Sequence, residues 1–385
     1  MRRLFIGTIC ILTLLALSND SLQFEPTNSD GGGGGRNTTT AFVRSAVTAF
    51  VPYNETRPVA PNGYLCVFGA KGRLNNLILQ NLVGIHMAHH LNRTLLVDPE
   101  VSTYYDIDRL SLTAYPESPH AAAMPIERSP HKTCGDPRRT SPYTINHGRN
   151  IRERFDDYDR QTREKKLVSV DNGDVWYWLG RPPEEVYGRF FRGLVPRRTY
   201  LDKVDTFLNE NQAMQESPTF NAAHLRYFEG RCGTVDTDLC CPKMQHVQEL
   251  LIERGGKIMD PLFIANDGQC PPEVLRSYAN ATDPVVMGYK GPCEGTECAV
   301  LDFEVCVRAE VFVGNLKSSG DMNIREWRLS RFGKAGSTSV LSQTAEAAGV
   351  EGRTTHMTRY IMGHWRFRPD CDAIRPAQRA SKPCV

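Results

Sequence analysis

The chain has almost no net charge: 46 Lys and Arg stand against 44 Asp and Glu over 385 residues, a formal +2. That leaves no case for broad electrostatic adhesion to nucleic acid or to an anionic membrane surface, so any basic site must be local. Past Leu17 no apolar run approaches the roughly 20 residues of a bilayer-spanning helix. No cysteine pair shows the two-residue spacing of a zinc knuckle. No internal repeat is visible either, which argues against solenoids, propellers and an eightfold barrel.

What is present places the chain in an oxidising compartment. Met1-Arg2-Arg3 precedes an apolar run from Leu4 to Leu17, and Ala16-Leu17-Ser18 closes it with small residues at cleavage spacing. This is a secretory signal or a short signal-anchor, and the shortness of the run favours cleavage. Asn37-Thr38-Thr39, Asn54-Glu55-Thr56, Asn92-Arg93-Thr94 and Asn280-Ala281-Thr282 are glycosylation sequons, which matter in that compartment alone. Of the twelve cysteines, Cys10 lies in the apolar run, leaving an odd eleven; at least one stays free or pairs outside the chain. Disulfides are expected over metal. Cys293 and Cys298 are close enough to close a short loop, and the adjacent Cys240 and Cys241 should have different partners.

With 40% hydrophobic and 23% charged residues, the chain reads as globular, and its length suggests two α/β domains plus extensions. We expect a signal or anchor at 1–18 and a flexible, glycine-rich stem at 19–62. An N-terminal α/β domain follows at 63–215 with an insertion at about 111–165, then a second α/β domain at 216–345 and a C-terminal extension at 346–385. Gly63 to Phe68 is an apolar run of strand length, Gly69 to Asn76 a loop, Leu77 to Leu91 a helix and Thr94 to Val97 a second strand. That spacing is a parallel βαβ unit. The second domain repeats the alternation: strand Phe220 to Arg226, helix Lys243 to Arg254 stopped by Gly255-Gly256, strand Ile258 to Ala265, helix Pro272 to Tyr278, strand Val285 to Gly288, helix Val300 to Arg308 and strand Val311 to Val313.

Four segments fall at strand ends or in the loops after them, where an open α/β sheet binds ligands. In Gly72-Arg73-Leu74-Asn75-Asn76, glycine allows backbone approach, and loop amides before a helix favour anions. His224-Leu225-Arg226 puts a planar fork of donors at the end of a buried strand, with a histidine on the same face. Ala265-Asn266-Asp267 ends another strand with a carboxylate able to accept from a ribose hydroxyl or a base edge. The fourth runs from Asp302 through Gly314-Asn315 to Ser318-Ser319, hydroxyls and amides that could cradle phosphate.

In this order the segments resemble the GDP-fucose-dependent protein O-fucosyltransferases and their wider superfamily, over about residues 63 to 328. Gly72 to Asn76 and Leu91-Asn92-Arg93-Thr94-Leu95 are similar to that family's Gly-Arg-Phe-Gly-Asn-Gln or Gly-Gly-x-Asn-Asn-Gln type loop and Asn-Arg-Thr-Leu strand entry. His224-Leu225-Arg226 matches its His-x-Arg motif, and Ala265-Asn266-Asp267 its Ala-Thr-Asp. Asp302, Ala309 to Asn315 and Ser318-Ser319 match an Asp, an Ala-Asp-x-Phe-Ile-Gly-Asn strand and a Ser-Ser-Phe turn. The resemblance implies a GT-B-like fold of two Rossmann-like domains flanking a cleft. It also implies transfer of fucose from GDP-fucose, with inversion, to a hydroxyl of a secretory protein, cysteine-rich modules among the acceptors, in the endoplasmic reticulum or Golgi lumen. Two departures stand out. Gly320 occupies the place of the aromatic residue after the serines, and Asp321-Met322-Asn323 replaces a small and apolar continuation.

A leaving GDP gathers negative charge, and a fixed guanidinium answers that need. Arg226 is therefore expected at the β-phosphate, with no cofactor and no divalent metal. Glu229 is the candidate base and Asn76 an orienting amide. Gly72, Arg73, Asn75, His224, Asp267, Asp302, Ser318 and Ser319 are the expected donor-binding residues. The competing readings are another nucleotide-sugar transferase of this fold and a non-catalytic secretory glycan-binding module. His86 and His90 share a helix face, but no carboxylate stands at a metal-site offset, so an ordinary amphipathic helix is expected there. Trp176 to Trp178 reads as core packing rather than an acceptor platform.

Overall fold

Among the described residues, nine short strands, each parallel to its paired neighbours, fall into two sheets. The computed structural model describes residues 57–68, 74–131, 134, 159–171, 182–226, 241–266, 270–280, 284–315, 318–334 and 338–341. All of these belong to one compact unit, Val43–Val385. The expected signal or anchor, most of the stem, the Trp176 to Trp178 cluster and the 346–385 extension lie outside the described residues. Among the described residues, no helix is long and apolar enough to cross a membrane.

The first sheet has the order β3-β2-β1-β4, built from β1 (Tyr64–Phe68), β2 (Thr94–Val97), β3 (Ala123–Pro125) and β4 (Leu167–Asp171). The second has the order β7-β6-β5-β8-β9, from β5 (Asn221–Leu225), β6 (Leu262–Asn266), β7 (Val285–Met287), β8 (Phe312–Asn315) and β9 (Thr338–Leu341). Each sheet starts on a central strand, steps outward twice, and returns to the other side for its fourth strand. That is the doubly wound order, with topological switch points between β1 and β4 and between β5 and β8. The strands read as near-continuous buried runs because helices cover both faces of a parallel sheet: all of β2 and all of β5 is buried.

The α/β class is thus as expected, with local differences. Helix α1 (Leu74–His90) starts three residues earlier than the apolar periodicity suggests, so Asn75 and Asn76 stand on its first turn rather than in the loop. Apart from Asn76, every residue of α1 from Leu74 to Ala88 is buried, so periodicity alone marks its start poorly. Strand β6 begins at Leu262 rather than Ile258: pairing with β5 starts at Asn221 opposite Leu262, Pro261 has no N–H to give, and Met259 is 77% exposed in a turn. Helices α2 (Pro99–Ser102), α3 (Ile107–Ala114) and α4 (Glu184–Gly193) were not foreseen. Part of the stretch 111–165, expected as a decoration, is structural: it supplies β3, and Cys134 within it is bonded to Cys66 of β1.

The remaining helices are α5 (Arg198–Glu210), α6 (Gln212–Gln215), α7 (Met244–Glu253), α8 (Pro272–Ala279), α9 (Thr296–Arg308) and α10 (Ser319–Phe332). The helix that follows β8, α10, packs against α4 and α1 from the first half of the chain. Its Trp327 stacks on Tyr105 with 5.8 Å between ring centroids, meets Phe191 edge-on, and donates from Nε1 to the Leu194 carbonyl at 2.8 Å. One hydrophobic cluster therefore runs from Leu65 and Ile78 through Phe191 to Phe312 and Trp327. Among the described residues, two further disulfides, Cys241 to Cys270 and Cys293 to Cys298, tie the second half, the latter as expected. Among the described residues, Cys306 is a free and buried thiol.

Candidate active site

The β5–β8 switch point is where the chain gathers its polar groups. Strand β5 brings in His224 on its buried face and ends at Leu225, and Arg226, half-buried, follows directly. Strand β8 ends at Asn315, and the chain re-enters helix at Ser318, the N-cap of α10. Ser318 is 2% exposed, and its Oγ accepts from the Asp321 backbone N–H at 3.3 Å. A serine in that role satisfies one of the orphan amides of a helix start. Its hydroxyl hydrogen is what it has left to offer a ligand. Ser319, half-buried, is the first residue of the helix.

The first turn of α10 can lie against β8 because Gly314 has no side chain: a Cβ there would come within 2.9 Å of the Asp321 Cβ. That approach carries the Asp321 carboxylate to His224, whose Nδ1 it meets in a hydrogen bond. Both are removed from water, with His224 6% and Asp321 0% exposed. The imidazole also stands edge-on to Phe303 of α9 at 5.5 Å. Asp302, one residue earlier, accepts from the Tyr289 backbone N–H at 2.7 Å. Burial pushes its carboxyl up to about 6, against the Tyr289 amide, His224 and Lys290, which draw it down. Burial and the charges of Asp302 and Asp321 raise the Cys306 thiol well above its usual range, so it is an inert core sulfur.

From the other sheet, α1 delivers Asn75 to the same place. Asn323 of α10 donates from Nδ2 to the Asn75 backbone oxygen and to its Oδ1, each at 3.2 Å. The Asn75 Nδ2 lies 2.9 Å from where a Cβ on Gly320 would sit, and the Phe303 ring lies 3.2 Å from it. The space beside Gly320 is thus taken by an amide from α1. Two helix N-termini, each the positive end of its dipole, meet beside the crevice.

The structure therefore brings His224, Ser318, Asn75 and Asp302 into one neighbourhood, with Arg226 two residues from His224 and Asn76 next to Asn75. Gly72, Arg73, Glu229 and Asp267 lie outside the described residues. Asp321 and Asn323 went unrecognised as members of the site. The spacing Ser318-x-x-Asp321 is a capping signature and could have placed Asp321 on a first helical turn, but nothing local could have paired it with His224. His86 is a core residue, hydrogen-bonded through Nδ1 to the Tyr115 hydroxyl at 2.8 Å. Burial, then His90 and His89, lower it to about 3, so it is neutral.

No family model and no curated protein matches the chain. Among solved structures the chain is similar to POFUT1 in complex with GDP-fucose, at 15% identity and a TM-score of 0.48, covering 73% of this chain and 98% of that one. It is similar to POFUT1 in complex with GDP, at 16% identity and a TM-score of 0.46, over 75% of this chain and 100% of that one. An Arabidopsis thaliana FUT1 variant in complex with GDP is similar at 12% identity and a TM-score of 0.41, over 77% and 73% of the two chains.

Proposed function

We propose that this chain is a fucosyltransferase that moves fucose from GDP-fucose to a serine or threonine hydroxyl of a secretory protein, cysteine-rich modules among its acceptors, in the lumen of the endoplasmic reticulum or Golgi. The observation that carries the reading is the convergence, at the β5–β8 switch point, of the His224-Leu225-Arg226 strand end, the α10 N-terminus and the buried Asp302. A nucleoside diphosphate is the ligand that such a crevice suits: cation and helix amides for phosphate, a carboxylate for base or ribose donors.

The acceptor oxygen attacks C1 of the sugar as the bond from C1 to the β-phosphate oxygen breaks; the acceptor proton passes to a base and GDP departs. Charge on the leaving oxygens grows most, and Arg226 with the amides of Ser319 and its neighbours would meet it without a divalent metal. Attack on the face opposite the leaving group inverts C1. Glu229 is the base in this scheme, and Asn76 orients the acceptor. Gly72 and Arg73 are assigned to the diphosphate in this scheme, and Asp267 to the ribose or base.

Arg226→Ala tests the reading. GDP at a hundredfold excess over its Kd should stabilise the wild-type chain by about 2.7 kcal/mol, a rise of several degrees in Tm. The variant should fold, lose most of that rise, and transfer no fucose. Transfer at a near-normal rate would remove Arg226 from the mechanism. The second reading, a different nucleotide-sugar donor, is favoured by Gly320, because the amide of Asn75 gives this corner of the site a different shape. Larger stabilisation by GDP-mannose or a UDP-sugar than by GDP-fucose would decide for it. No stabilisation by any of them would favour a non-catalytic module.

A further inference from the structure

A carboxylate wholly withdrawn from water persists where it is neutralised. Asp321, 0% exposed, meets the His224 imidazole and stands on the first turn of α10, at the positive end of that helix. The histidine is equally committed, since its Nδ1 faces the carboxylate and its ring edge is set against Phe303. Gly314 admits the first turn of α10 to β8 at contact distance, and that approach sets the carboxylate beside the ring.

We propose that Asp321 is a positioning residue for His224: it holds the proton on Nδ1 and fixes the ring plane, so that Nε2 is the nitrogen presented to the nucleotide of the donor. A carboxylate on one ring nitrogen selects the tautomer and raises the basicity of the other nitrogen, which then serves better as a hydrogen-bonding partner for ribose or phosphate oxygens. The inference rests on the donor-binding reading above but adds a residue, Asp321, and a protonation state to it. It also explains why a charged residue stands where the similar family is apolar. The carboxylate works through the histidine and touches no substrate.

The test uses the full chain labelled with 15N-histidine, together with Asp321→Asn, His224→Gln and the double variant. In the wild-type chain the His224 nitrogen shifts should report a protonated Nδ1. Asp321→Asn, which keeps the shape and removes the charge, should give a mixed or reversed pattern and weaken GDP about tenfold or more. His224→Gln should weaken GDP comparably, and the double variant should be no weaker than the worse single one. An unprotonated Nδ1 in the wild-type chain overturns the proposal, and so do effects that multiply in the double variant or a GDP affinity within twofold of wild type for Asp321→Asn. The wild-type measurement needs no variant to fold. If wild-type protein fails to bind GDP at all, the donor-binding reading falls and takes the donor half of the proposal with it; the nitrogen pattern still decides the pairing of Asp321 with His224.

Discussion

Asn323 on α10 clasps Asn75 on α1 through a single amide nitrogen, donating to the Asn75 backbone oxygen and side-chain oxygen at 3.2 Å each, across 248 residues of sequence. Asn75 stands on the first turn of α1 and Asn323 on the second turn of α10, and each helix follows a switch-point strand, so the clasp ties a helix of one half of the chain to a helix of the other. Asn323 is 0% and Asn75 7% exposed, and a buried amide left unmatched costs about 1–3 kcal/mol. The contact therefore helps to fix how the first turn of α1 lies against α10.

Gly320 lies under that clasp, and its replacement should show the crowding. In an ordinary helix, Gly→Ala gains up to about 1 kcal/mol. Here the new Cβ would stand 2.9 Å from Asn75 Nδ2 and 3.2 Å from the Phe303 ring, and Asn75 is held by Asn323. Gly320→Ala should therefore destabilise the chain, by about 1 kcal/mol net. Combined with Asn75→Gly, which empties the space, the same change should stabilise. Denaturant midpoints at constant m-value read both signs.

Glu304 should be costly to neutralise. It is 2% exposed and accepts from Arg331 through both nitrogens, at 2.7 and 2.8 Å, and from Arg308 Nε at 3.0 Å, while Arg308 also pairs with Asp205. Burial would raise its carboxyl, but the two arginines outweigh burial and hold it below the usual range. Glu304→Gln should cost about 3–5 kcal/mol at neutral pH, since it removes the buried countercharge that Arg331 and Arg308 share and leaves Arg308 with Asp205. A carboxyl whose folded pKa is lowered contributes stability above its unfolded pKa and loses it as pH falls. The gap between wild type and variant should thus be widest at pH 7 and narrow below about pH 4.

Asp302 should show the opposite slope. Its carboxyl is raised to about 6, so between about pH 4 and pH 6 the folded chain binds more protons than the unfolded one, and stability falls as pH rises through that window. Asp302→Asn keeps an acceptor for the Tyr289 N–H and removes the titration. The variant should match the wild type near pH 4 and exceed it by about 2–3 kcal/mol above pH 6. Equal pH profiles for the two proteins would show that Asp302 ionises without cost.

The local pattern carried a good deal. Strand β5 reads as a buried run ending at His224 and Arg226, α7 as an apolar helix stopped by Gly255, and the five-residue spacing of Cys293 and Cys298 as a closed loop, because each follows from neighbours in sequence. Less was legible where a strand is very short or a helix is buried all round. β3 and β9 have three and four residues and little periodicity of their own, and they exist because an adjacent strand offers its edge.

The sequence by itself determined the α/β alternation, the position of His224 and Arg226 at a strand end, and a serine at the start of a helix, since helix caps and strand periodicity are local physics. Only the tertiary structure decided what those residues meet. His224 faces a carboxylate 97 residues away, and Asn75 fills the space that Gly320 leaves. Such pairings depend on how two sheets and their helices pack, and a buried polar group finds its partner through that packing rather than through its place in the chain.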